Sequence, residues 1–118
     1  MTFATVCENR QLLSQLSRLL LSAFPGSTVH QNRDPERAVQ RLSSHEVDAI
    51  FADADTCSDW VHLMRRHHAN ASVYLLCRQD LLPPEGTGDI RGIVTYPITK
   101  QKIQIALQNI PREIREVV

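Results

Sequence analysis

The sequence has 118 residues, 42% of them hydrophobic, enough to bury one domain core and too short a chain for two. Thirteen basic residues balance thirteen acidic ones, so the concentrated positive field that nucleic acid requires is missing. No apolar run is long enough to cross a membrane and no basic-then-apolar leader opens the chain, so we expect a cytoplasmic protein, or the cytosolic part of a membrane sensor, with no direct membrane insertion.

Residues 2–6 form a short β-prone run that ends at the polar Cys7-Glu8-Asn9. From residue 11, Leu12, Leu13, Leu16, Leu19, Leu20, Ala23 and Phe24 make a helical stripe, which Pro25-Gly26 ends. A weaker strand follows at 28–31. Asp34 and Pro35 then suit the cap and first turn of a helix running to about residue 42.

The stretch 47–55 organises the rest. Its apolar core, Ala49 to Ala52, shows no alternation, as expected of a parallel strand covered on both faces. Asp53 ends it, and in open parallel sheets ligands bind beyond the carboxyl ends of the strands. A short helix is predicted from residue 58 or 59 to about 67, with Trp60 anchoring it in the core. Residues 72–77 make a fourth strand. Where an alternating chain should place a helix, residues 80–88 carry Pro83, Pro84, Gly86 and Gly88, so a full helix is not predicted there. Residues 90–96 give a fifth strand, Pro97 breaks it, and 99–110 carry Ile103, Ala106, Leu107 and Ile110 at helical spacing. The order predicts an α/β domain over residues 1–110, built on a doubly wound parallel five-stranded sheet, with residues 111–118 as a charged tail or linker.

Several simpler site readings fail on spacing. The odd set Cys7, Cys57 and Cys77 has no Cys-x-x-Cys pair and reads as reduced thiols. Cys7 is not followed by the glycines and arginine of a thiol-phosphatase loop, and Glu8 would repel phosphate. His62, His67 and His68 do not share the four-residue spacing that stacks metal ligands on a helix. Residues 65–68 read as a solvated helix end.

Over residues 2–110 this pattern resembles the receiver domain of bacterial two-component response regulators, and implies their flavodoxin-like fold with the fourth helix shortened or replaced by a loop. The resemblance places Asp53 at the phosphoacceptor position and Tyr96-Pro97 where the family has Lys-Pro. Its acidic pair falls on Cys7-Glu8, with Glu8-Asn9 as the alternative register, and its strand-four hydroxyl falls on Cys77. Each departure alters a physical task. A thiol at Cys7 is a poor ligand for a hard cation, so Glu8, Asp53 and a carbonyl at Asp55 would make at best a weak magnesium site. Tyr96 offers a neutral hydroxyl in place of a point charge, and Cys77 a weak donor in place of a good one.

The resemblance therefore implies a pseudo-receiver: a non-enzymatic protein-interaction module without regulated phosphorylation or cofactor, as part of a hybrid sensor histidine kinase. Its partner would be a kinase core or another receiver, contacted through Arg78, Tyr96 and Lys100. The oligomeric state stays open. The alternatives are a phosphoacceptor using Asp53 with magnesium and, from a different class, a small flavodoxin-like enzyme.

Overall fold

The computed structural model describes residues 1–42, 46–57, 60, 63, 66, 71–78 and 91–108. Five strands, β1 (Thr2–Val6), β2 (Thr28–Asn32), β3 (Ala49–Asp53), β4 (Ser72–Cys77) and β5 (Gly92–Thr95), form one parallel sheet in the order β2-β1-β3-β4-β5. Four helices are described: α1 (Arg10–Ala23), α2 (Pro35–Leu42), α3 (Ala54–Cys57) and α4 (Lys100–Gln108). The predicted doubly wound sheet is thus the observed one.

Alternate residues of each strand go to opposite faces. Phe3, Phe51, Tyr74, Leu76 and Val94 pack against Leu16 and Leu20 of α1 and Ile103 and Leu107 of α4. Ala4, Val6, Ile50, Ala52, Val73, Leu75 and Cys77 pack instead with Ala38 and Val39 of α2 and Cys57 of α3. Because both faces are covered, β3 is buried along its whole length, which accounts for its unbroken apolar run. Trp60 and Leu63 are half-buried against the second cluster, as expected for Trp60.

Local chemistry sets the helix ends. Asn9 caps α1 by accepting the Leu12 N–H at 3.1 Å, and Gly26, with φ of 85°, turns the chain after it. Asp34 accepts the Glu36 N–H at 2.9 Å before α2. A short helix not predicted from the sequence, α3, occupies Ala54–Cys57 ahead of the helix predicted from 58 or 59 to about 67, most of which lies outside the described residues. Asp53, immediately before α3, accepts a hydrogen bond from Thr56 within the first turn, so the residues read as a loop start a helix. The fifth strand is shorter than predicted, Gly92–Thr95. The proline-rich segment expected to replace the fourth helix, the three histidines at 62, 67 and 68 and the tail at 111–118 lie outside the described residues. Among the described residues no helix is long and apolar enough to cross a membrane.

Candidate functional site: the cleft around Asp53

Register brings the site together. Val6 pairs with Ala52 and Asp53 with Leu76, so the residues leaving β1, β3, β4 and β5 converge beyond the same end of the sheet. There Cys7, Glu8, Asn9, Leu12, Asp53, Asp55, Thr56, Arg78 and Tyr96 line an open cleft of about 470 Å³. The predicted residues Glu8, Asp53, Asp55, Arg78 and Tyr96 thus share one cleft. Lys100 is exposed at the start of α4 and does not line it, and Cys77 is buried in the core beside it.

Asp53 is 8% exposed, and both its carboxylate oxygens are occupied by neutral donors. The Tyr96 hydroxyl donates to Oδ1 at 2.5 Å, and the Thr56 hydroxyl donates to Oδ2 at 2.9 Å. Thr56 Oγ1 in turn lies 3.4 Å from the Glu8 backbone N–H, which donates to it. Tyr96 reaches Asp53 from the end of β5, where its own N–H donates to the Cys77 carbonyl at 2.9 Å and the following Tyr96-Pro97 peptide bond is cis.

Burial, then the hydrogen bond to Asp53 and that carboxylate's charge, raises the Tyr96 phenol well above its ordinary 10.0. It stays neutral and contributes a hydrogen bond, not a charge. The three thiols near the site are likewise raised from 9.0, burial being the main cause at Cys7, Cys57 and Cys77, with Asp53 adding to it at each. They remain protonated and are neither nucleophiles nor metal ligands in this state. Cys57 donates its S–H to the Val6 carbonyl at 3.6 Å.

The ammonium closest in sequence to Tyr96 beyond Lys100 is Lys102 of α4. It donates to the Thr95 and Pro97 carbonyls, each at 3.0 Å, and to Thr95 Oγ1 at 3.2 Å, which ties the β5–α4 connection together. That fixes the loop carrying Tyr96 but brings no positive charge to Asp53.

Magnesium demands oxygen ligands in near-octahedral array. Among the described residues no three Asp, Glu, His or Cys side chains converge in a way that could hold a metal ion, and each Asp53 oxygen accepts one hydroxyl hydrogen bond. Side chains alone therefore make no site for the ion here.

Thr56, whose hydroxyl donates to Asp53, is a site residue to which sequence reading gave no role. Asn9, read only as an alternative register of the acidic pair, instead caps α1.

No protein-family model matches the sequence, and no curated protein matches it. Solved structures do. The signal receiver domain of an HD domain-containing protein from Pseudomonas fluorescens Pf-5 is 23% identical, with a TM-score of 0.77 over 98% of this chain and 90% of that one. A response regulator receiver domain protein from Clostridium thermocellum is 14% identical, with a TM-score of 0.79 over 99% and 98%. The chemotaxis response regulator CheY4 of Vibrio cholerae is 17% identical, with a TM-score of 0.73 over 91% and 95%. At these identities the likeness is one of fold: the chain has the five-stranded CheY-like receiver fold, with strand order 2-1-3-4-5.

Proposed function

We propose that this chain is a pseudo-receiver of two-component signalling, a protein-interaction module that works without regulated phosphorylation and without a resident metal. The observation that carries this reading is the 2.5 Å hydrogen bond from Tyr96 to Asp53. Phosphoryl transfer to a carboxylate needs a free oxygen as nucleophile and fixed positive charge around the transferred group. Here the first oxygen accepts from a neutral phenol and the second from Thr56, Lys102 is spent on the loop, and Arg78, the cation that lines the cleft, makes no hydrogen bond or ion pair with Asp53. The solved structures that share the fold include proteins described as response regulators, which supports the signalling context.

A hybrid sensor histidine kinase is the setting that suits such a domain. Docked on a kinase core or a working receiver through the Arg78 and Tyr96 rim, it would bias their access to one another by differential contact alone. A second reading, a phosphoacceptor using Asp53 with magnesium, is favoured by one observation: Glu8, Asp53 and Asp55 line the same cleft. It requires magnesium and the incoming phosphoryl group to share or displace the contacts that Tyr96 and Thr56 make with Asp53.

Titration with magnesium and then beryllofluoride, followed by backbone amide shifts at Glu8, Asp53, Cys77 and Tyr96, separates the two. The pseudo-receiver reading expects no saturable response from a folded spectrum. Saturating shifts that vanish in Asp53→Ala would replace it with the phosphoacceptor.

A further inference from the structure

A second cleft, of about 630 Å³, lies where the end of the edge strand β2 meets α2. Gln31, Asn32, Arg33, Asp34, Arg37, Gln40 and Arg41 line it, so three guanidinium groups face one carboxylate. Asp34 is partly spent, since its Oδ1 accepts the Glu36 N–H. Arg33 is held in place by donating from Nε to the Glu8 carbonyl at 3.2 Å, which uses one of its five N–H groups and none of its charge. Arg37 and Arg41 stand one helical turn apart, about 6 Å along the axis, and both are exposed. Neither has a hydrogen bond or ion pair to another described residue. Complementing the helix dipole accounts for Arg41 in the last turn, but not for Arg37 or Arg33.

We propose that this groove docks an acidic segment of a protein partner, with carboxylates about 6 to 7 Å apart, the spacing of successive helical turns or of alternate residues on a strand. The planar guanidinium fork pairs with carboxylates two bonds at a time, which gives the groove directional selectivity beyond its net charge. A small anion is a poorer occupant, because tight small-ligand sites enclose most of the ligand and this groove is open with its arginines at the surface. Nucleic acid is poorer still: a domain of zero net charge with three clustered cations displaces few counterions. Its lining residues are distinct from those of the Asp53 cleft, to which Arg33 links it through the Glu8 carbonyl.

The test uses the whole chain and a fluorescein-labelled alternating Glu-Ala peptide, with a Gln-Ala peptide, a single-stranded oligonucleotide of matched charge and pyrophosphate as comparators. Anisotropy should show binding of the Glu-Ala peptide alone, weakened by added salt, with amide shifts concentrated in residues 31–41. Affinity should fall about ten-fold or more in Arg37→Glu/Arg41→Glu and by a smaller factor in Arg37→Gln/Arg41→Gln, with folding checked by circular dichroism. Arg18→Glu, a single charge reversal on the exposed side of α1, should leave it unaltered. Failure of the peptide to bind, equal binding by the folded double variants, or tighter binding of the oligonucleotide or pyrophosphate would overturn the proposal.

Discussion

On the face of the sheet covered by α1 and α4, large rings fill the space: Phe51 stacks on Tyr74 with centroids 5.2 Å apart, and Phe3 meets Phe51 edge-on at 6.2 Å. On the face covered by α2 and α3 the same strands present no ring but aliphatic residues, Val6, Ile50, Val73 and Leu75, interspersed with the small Ala4, Ala52 and Cys77, against Ala38 and Cys57. The small side chains of the second face let a helix approach the strands closely, as the contact from Cys57 to the Val6 carbonyl shows. Neighbouring residues of one strand, Phe51 and Ala52, therefore have opposite tasks: one fills volume, and the other keeps it clear. The close approach of α3 is also what brings Thr56 within reach of Asp53.

If the two faces differ in this way, truncation should hurt the first and enlargement the second. Phe51→Ala should cost about 3–5 kcal/mol, read as a lower urea midpoint, because it removes both ring contacts and leaves a cavity. A loss under about 1 kcal/mol would mean that the aromatic face is loosely packed.

The thiol-lined face should respond to alkali. An unfolded chain ionises its cysteines around 9.0, whereas burial holds Cys7, Cys57 and Cys77 protonated above that in the folded state. The folded state thus retains protons that the unfolded state has released, and stability must fall as pH rises past 9. For Cys57 alone the slope is about 1.4 kcal/mol per pH unit until its folded value is reached. Urea midpoints across neutral to alkaline pH should show the decline, and Cys57→Ala should flatten it. Tyr96, raised from 10.0, acts in the same direction at higher pH.

Ala52→Leu should cost about 1–3 kcal/mol by overpacking, whereas an added methylene group would be absorbed if α2 and α3 could withdraw without loss. The smallest change expected concerns Thr5, whose buried Oγ1 is the one buried side-chain polar atom recorded without a partner among the described residues. Thr5→Val should raise the thermal midpoint, by the equivalent of about 1 kcal/mol, since it removes a desolvated hydroxyl at nearly constant volume. A fall in the midpoint would show that this hydroxyl is satisfied in solution.

Strand and helix order were legible in the sequence because each segment carried its period in its own residues, from the leucine stripe of α1 to the unbroken apolar run of β3. Legible too was the position of Asp53 at a strand end, with Cys7, Glu8, Cys77 and Tyr96 around it, since β-α alternation dictates which strand ends meet. The start of α3 was not: it depends on Asp53 and Thr56 bonding to each other, and their separate propensities both favour a turn. Nor was the groove at α2, because a count of charges over the whole chain sums to zero while three arginines recur at four-residue intervals within nine residues.

Sequence alone therefore determined the doubly wound sheet and its buried central strand, both of which follow from local pattern. Tertiary structure alone decided what Asp53 bonds to. Tyr96 lies 43 positions away from it and Lys102 could have competed for the carboxylate; only the pairing of β4 with β5 and the anchoring of Lys102 on Thr95 and Pro97 made a phenol its partner. Hydrogen bonds between residues so far apart have no local signature, because their geometry exists only once the strands are in register.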